Sequence, residues 1–434
     1  MLKTILHVGV VLMFAIAVAM RGAGVFAGEA AGVSTPNQAV GAGISTGATQ
    51  IQSAGTGAPA AIEAHLSYIG KQYPEPPPLS LLDKVLTDEG IQGARVALKE
   101  NNMTGRLIGQ HHELEEVRIA ADQDIVARAK DLLASGRRLI IADLEADDLL
   151  AVSNLPEAAD AIILNVRLSD DELRQEQCRA NVFHLIPSWA MRADALAQYM
   201  VWKKWRNWLL IAGQGKKDKQ YATAIKRAAV KFGNKIVEEK SYAFEAGSRR
   251  TDSGHQQIQT QMPLLTQASS GYDVVFVADP EESFGDYLLY RTFDPRPVVG
   301  SQGLTAAGWH RSFEQYAGTQ MQNRFERAAS RTMTERDYYA WLAVRVFGEA
   351  VLRTASDDPI VLKRYMLSKE FEIAGFKGQG MTFRDWDQQL RQPILLAGPR
   401  ALVSISPQDG FLHQKFQTDT LGVDRPETKC RINK

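Results

Sequence analysis

From Ala64 onward the chain alternates short, largely apolar runs with longer stretches in which apolar residues recur every three or four positions. The runs predict strands at 65–69, 106–109, 139–142, 161–166 and 182–186, then at 208–212, 235–242, 273–278 and 297–300. Between them the period predicts helices at 89–100, 123–134, 147–153, 188–204, 219–232 and 256–268. Apolar strands separated by helices belong to parallel sheets covered on both faces. The pattern therefore predicts an α/β protein with two doubly wound parallel-sheet lobes, a hinge and an interlobe cleft. The lobes meet near the 188–204 helix.

The remainder is mostly helical at 320–330, 334–354 and 359–368; in the middle helix Tyr338, Leu342, Arg345-Val346 and Glu349 recur at three- and four-residue spacing, which predicts one apolar face. Short strands separated by Gly and Pro follow at 372–376, 381–383, 393–397 and 402–406. The expected division is 63–187 for the first lobe and 188–320 for the second. Residues 321–434 would return across the hinge to complete both.

The start of the chain has a different character. Lys3 precedes an almost wholly apolar run from Ile5 to Met20, and Val25-Phe26-Ala27 ends a small-residue stretch. That is the form of a signal peptide spanning 1–27, with cleavage before Gly28. An uncleaved N-terminal anchor is the alternative, although the run is short for a membrane span. No Cys follows the site to carry a lipid, so a soluble periplasmic protein is expected. Residues 28–62 are dominated by Gly, Ala, Ser and Thr without a period, which predicts a disordered leader.

Charge changes little. Lys and Arg number 50, as do Asp and Glu. No basic stripe invites nucleic acid. Two cysteines, Cys178 and Cys430, are present. Export allows a disulfide between them, the expected arrangement, with two buried free thiols as the alternative.

Several strings carry a family resemblance. Glu89-Gly90-Ile91-Gln92-Gly93-Ala94-Arg95-Val96-Ala97 resembles the first helix of leucine-binding-type (type I) periplasmic receptors, where glycines let the helix pack closely on the sheet. The stretch from Trp208 to Tyr242 resembles their entry into the second lobe. Thr251-Asp252-Ser253 and Tyr272-Asp273-Val274-Val275-Phe276-Val277-Ala278 continue it, with Asp252 or Ser253 expected as a helix N-cap.

Pro76-Pro77-Pro78-Leu79-Ser80-Leu81-Leu82-Asp83, Cys178-Arg179-Ala180-Asn181-Val182 and Phe284-Gly285-Asp286-Tyr287 resemble a narrower group. So do the strings from Asp337 to Arg345 and from Gln408 to Gln414. These are similar to substrate-binding proteins of the PQQ-dependent alcohol dehydrogenase system. The resemblance implies an importer receptor that captures a small solute and works, as a monomer, with a membrane permease and its ATPase.

Ligands of open α/β sheets bind beyond the carboxyl ends of the strands. Asp143, Glu145 and Asp147 follow the 139–142 strand, and Asp279 and Glu281 follow the 273–278 strand. Acids from both lobes would suit a cation, so Asp143, Glu145 and Asp279 are candidate ligands for a calcium or lanthanide ion or a metal complex. Helix caps and solvated acids are the alternative. Receptors of amino acids in this family place a small hydroxyl residue at the first of these loops, so the acids put an amino-acid ligand in doubt.

Trp309 is a candidate cleft aromatic, with core packing as its alternative. His111 and His112 fall on a strand, and Arg249-Arg250 could meet an anion. Trp202, Trp205 and Trp208 are read as core. No phosphate loop, GxSxG, HExxH or CxxC occurs, so neither an enzyme nor a resident cofactor is expected. Beyond the importer receptor, the alternatives are a branched-chain amino acid receptor, a metal-capture protein and a non-transport partner of the dehydrogenase system.

Overall fold

The structure, a computed structural model, describes residues 62–75, 84–243 and 252–432, with only the backbone at 252–256. The expectations for 1–61, for the Pro76 to Asp83 string, for Arg249-Arg250 and for a cap at Asp252 or Ser253 lie outside these residues.

The first lobe is built from β1 (Ile62–Lys71), α1 (Ile91–Gly105), β2 (Gln110–Ile119), α2 (Ile125–Ala134), β3 (Leu139–Asp143), α3 (Ala146–Ser153), β4 (Ile162–Asn165) and β5 (Val182–His184). Its five strands pair in parallel in the order β2-β1-β3-β4-β5. Alternation along β3 places Leu139 and Ile141 in one core, while Ile140 and Ala142 enter the core under α2 and α3.

The chain continues through α4 (Trp189–Trp202), β6 (Asn207–Ala212), α5 (Lys216–Lys231), β7 (Lys235–Ser241), α6 (Asp252–Thr266), β8 (Val274–Ala278), β9 (Val298–Gly300) and β10 (Leu304–Ala307). It then forms α7 (Gly318–Ala329), α8 (Glu335–Thr354), α9 (Pro359–Met366), β11 (Ile373–Ala374), β12 (Gly380–Met381), β13 (Ile394–Ala397) and β14 (Leu402–Ser406). The second sheet has the order β14-β13-β10-β9-β8-β6-β7. Strands β6 to β10 pair in parallel, and β13 and β14 close the edge in antiparallel fashion.

Neighbouring residues that fall in different cores mark where the chain crosses between lobes. Leu185 packs in the first lobe and Met191 in the second, Ala306 in the second and Trp309 in the first, Leu390 in the first and Ile394 in the second. The second crossing precedes α7, earlier than the expected boundary at 320, because Met321 and Phe325 of α7 pack in the first lobe's core. Arg192 supports this crossing by donating to the carbonyl of Ala306 (2.7 Å) and to both oxygens of Glu335 (2.9 Å each).

Two elements depart from the sequence reading. Helix α1 runs on to Gly105 and 106–109 form a turn, so the strand begins at Gln110. The strand was hidden because β2 is a polar edge strand whose QHHELEE sequence has no apolar run. Strand β10 was not foreseen because Leu304-Thr305-Ala306-Ala307 is too short to show a period. The two glycines of the 89–97 string act differently: a Cβ on Gly90 would meet the Tyr68 hydroxyl of β1 at 2.4 Å, so Gly90 does let the helix start close to the sheet. A Cβ on Gly93 would meet the backbone oxygen of Asp337 at 1.8 Å, so this glycine lets α8, rather than the sheet, approach α1.

A disulfide joins Cys178 and Cys430, with their Cα atoms 5.7 Å apart. Among the described residues no helix is long and apolar enough to cross a membrane.

Candidate functional site

The carboxyl ends of β4, β5, β8 and β9 open on a cavity of about 450 Å³ between the lobes. The first lobe lines it with Val166, Arg167 and Ser169, and the second with Trp189, Arg192, Lys217, Tyr221 and Gln302. Local chemistry shapes the first wall. The Asn165 carboxamide oxygen accepts from the backbone N–H groups of Arg167 and Leu168, and its amide donates back to the Leu168 carbonyl. This side chain turns the chain out of β4 and presents Arg167 and Ser169. The Ser169 carbonyl then accepts from the backbone N–H of Trp189, and Ser188 caps α4 through its hydroxyl.

The acids singled out from the sequence do not form a cation site. Asp143 accepts from the Tyr68 hydroxyl (2.7 Å) and pairs with Arg167 (3.2 Å). Glu145 pairs with Arg167 (2.9 Å) and, across the cleft, with Lys217 (3.0 Å). Burial opposes its charged form, but these two cations win and hold its carboxyl below the ordinary range. Asp147 is exposed in the first turn of α3 and does not line the cavity.

Asp279 is fully buried, and its own loop takes up its carboxylate. One oxygen accepts from the Ser283 N–H and hydroxyl, the other from the N–H groups of Phe284 and Gly285. Glu281 is exposed and accepts from the Lys217 N–H at the start of α5, where the helix dipole favours an acid. Among the described residues no group of three His, Cys, Asp or Glu side chains could hold a metal ion. The three proposed metal ligands are instead partners of arginine, lysine and backbone N–H groups.

Trp309 is also corrected. It is buried in the first lobe's core, stacked on Tyr338 with ring centroids 4.5 Å apart. His112 is buried in β2, His111 is exposed, and neither lines the cavity. Of the three tryptophans read as core, Trp208 is buried, Trp205 is half-buried and Trp202 is 58% exposed.

Of the residues named from the sequence, Asp279 does line the cavity, but the other side chains that shape it were missed. Trp189 and Tyr221 form an aromatic wall with centroids 5.0 Å apart, and Arg192 lies beside Trp189. Tyr221 is 2% exposed, and its hydroxyl has no hydrogen-bond partner among the described residues. Burial raises the pKa of that phenol, so it stays protonated and can donate. Ser169 is buried too, and its hydroxyl likewise has no partner among the described residues. Each lobe thus contributes one available hydroxyl. The position of Ser169 just after an apolar strand was a usable signal. Tyr221 and Arg192 lie inside helices, and only the folded arrangement brings them to the cleft.

The cations lining the cavity are already paired. Arg192 holds Glu335, Arg167 holds Asp143 and Glu145, Lys217 holds Glu145, and Arg336 holds Glu89 at 3.0 Å. The wall is rich in charges and carries no unpaired cation among the described residues.

Residues 86–284 match the family of periplasmic binding proteins. The whole architecture is similar to solved structures of low sequence identity. One is a branched-chain amino acid ABC transporter periplasmic ligand-binding protein from Burkholderia xenovorans LB400, 13% identical with a TM-score of 0.65, covering 86% of this chain and 100% of that one. This chain has the type I periplasmic binding protein fold.

An ABC transporter substrate-binding protein from Desulfitobacterium hafniense in complex with Leu is 15% identical, with a TM-score of 0.56 over 79% of this chain and 99% of that one. A solute-binding protein from R. palustris in complex with benzoate is 11% identical, with a TM-score of 0.56 over 86% and 100%. No curated protein matches the sequence significantly. In a fold of this type, residues from both lobes can enclose one small molecule.

Proposed function

We propose that the protein is the periplasmic substrate-binding component of an ABC-type importer. It captures a small solute between its lobes and delivers it to a membrane permease coupled to an ATPase. The observation that carries this reading is the cavity of about 450 Å³, walled by strand-end loops of both lobes and by helices α4 and α5 of the second. A solute touching both walls favours the closed form by its extra affinity for that form, and this shifts the lobes toward closure.

The wall also narrows the cargo. With Arg167, Arg192, Lys217 and Arg336 already paired, a net anion would have to displace a carboxylate from a cation. Such an exchange is unfavourable where the pairs are buried. A neutral or zwitterionic solute fits better. Its apolar part would meet Trp189 and Tyr221, and its polar atoms the hydroxyls of Ser169 and Tyr221. An amino-acid-type cargo satisfies these conditions, and the Leu-bound relative supports it.

The strings around Cys178, Phe284 and Asp337 support the finer reading that the importer serves bacteria using PQQ-dependent alcohol oxidation. Export by a signal peptide at 1–27 and action as a monomer complete the proposal. A thermal-shift panel of neutral amino acids, short alcohols, aldehydes and carboxylic acids tests it. A true cargo at one hundred times its Kd adds about 2.7 kcal/mol of stability. Stabilisation by carboxylic acids alone would contradict the charge argument.

A further inference from the structure

The stretch after β14 belongs to neither lobe alone. It starts in the second lobe, where Ser406 donates to the Ala195 carbonyl and Leu421 enters the core. Asp194, itself fully buried, accepts from the Gly422 N–H (2.8 Å), while Lys231 donates to the carbonyls of Thr420 and Gly422. In the same few residues Asp419 turns the other way. It is buried and pairs with Arg384 (3.0 Å) and Arg391 (2.9 Å).

Those arginines flank the segment whose Phe383 and Leu390 pack in the first lobe, where Gln389 bridges to His184 of β5. The chain then runs along that lobe. Arg425 pairs with Asp385 (2.5 Å) and the Lys429 N–H donates to Gln175 (2.9 Å). It ends in the bond from Cys430 to Cys178, which lies in the first lobe just ahead of β5.

We propose that residues 417–430 form a strap between the lobes. One end is anchored by Asp194 and Lys231, the other is covalently fixed at Cys178, and the strap limits how far the cleft opens. The three crossings beside Ile186, Ala307 and Leu390 are ordinary chain and can flex. The strap adds a fourth connection that cannot detach. From Leu421 to Cys430 it reaches at most about 30 Å when fully extended, and the short helical turn at Arg425–Glu427 takes up part of that length. Opening beyond this slack would require pulling the chain off its anchor at Asp194 and Lys231 or breaking the disulfide. The proposal rests on the two-lobe geometry and not on the identity of any cargo.

The test measures the interlobe distance directly in the full-length, ligand-free protein. Spin labels on unnatural amino acids at Lys130 and Val230, one exposed position on each lobe, report it by pulsed dipolar spectroscopy. One variant is Cys430→Ser. The other inserts eight Gly and Ser residues between Glu427 and Thr428, which keeps the disulfide and every crossing while lengthening the strap. The expected result is a distance distribution extended to longer values in both variants relative to the native protein. An unchanged distribution in the lengthened variant overturns the proposal, whatever Cys430→Ser does. If Cys430→Ser does not fold, the lengthened variant decides alone.

Discussion

Lys217 and Glu145 lie on opposite lobes, and their Nζ and Oε1 atoms are 3.0 Å apart at the wall of the cleft. Glu145 keeps a second partner, Arg167, within its own lobe. Closure therefore adds a cross-lobe ion pair without leaving a carboxylate unpaired when the lobes part.

Lys217→Met should loosen closure modestly. The pair is partly exposed, with Lys217 at 40%, and such pairs contribute at most about 1 kcal/mol. Solute affinity should fall by about fivefold or less, with the loss shrinking as salt is raised. Calorimetry with the cargo found by the thermal-shift panel, at low and high ionic strength, checks both statements.

Asp279→Ala should destabilise the protein without acting through the cargo. The carboxylate accepts three backbone N–H groups and the Ser283 hydroxyl in a buried loop. Leaving them unpaired costs about 3 kcal/mol or more. Urea unfolding should show a lower midpoint. A midpoint equal to that of the native protein would mean that this carboxylate serves something other than its own loop.

Acid should weaken the fold through His112. Burial pushes this imidazole down to about 4, and neither ring nitrogen has a partner among the described residues. An unfolded histidine titrates near 6.5, so between these values the unfolded chain binds a proton that the folded chain refuses. The contribution is complete above about pH 6.5 and is lost as pH falls toward 4, amounting to about 3 kcal/mol at most. The stability of His112→Leu should fall less than that of the native protein between pH 7 and pH 5. Equal slopes would contradict the assignment.

Much of the fold was legible because each lobe's central strands are buried on both faces. Leu139-Ile140-Ile141-Ala142 and Val274-Val275-Phe276-Val277-Ala278 announce themselves as apolar runs. Polar β2 and the four-residue β10 give no such signal. The cleft was legible only as a place. Asp143 and Asp279 were found at strand ends, but their partners determine their roles, and those partners differ in reach. The donors to Asp279 lie within six residues, so the Asp-Pro-Glu-Glu-Ser-Phe-Gly string could have been read as a self-capped loop. Arg167 is 24 residues from Asp143 and Lys217 is 72 from Glu145. Only the folded chain shows that these acids are neutralised.

Native mass spectrometry of the protein released gently from the periplasm of its own cells tests the central claim most directly. The account predicts a one-to-one adduct with a small molecule of no net charge, reduced in occupancy by the pair of changes Ser169→Ala and Tyr221→Phe. A protein that carries no adduct and gains none from a periplasmic extract would contradict it, as would an adduct untouched by both changes.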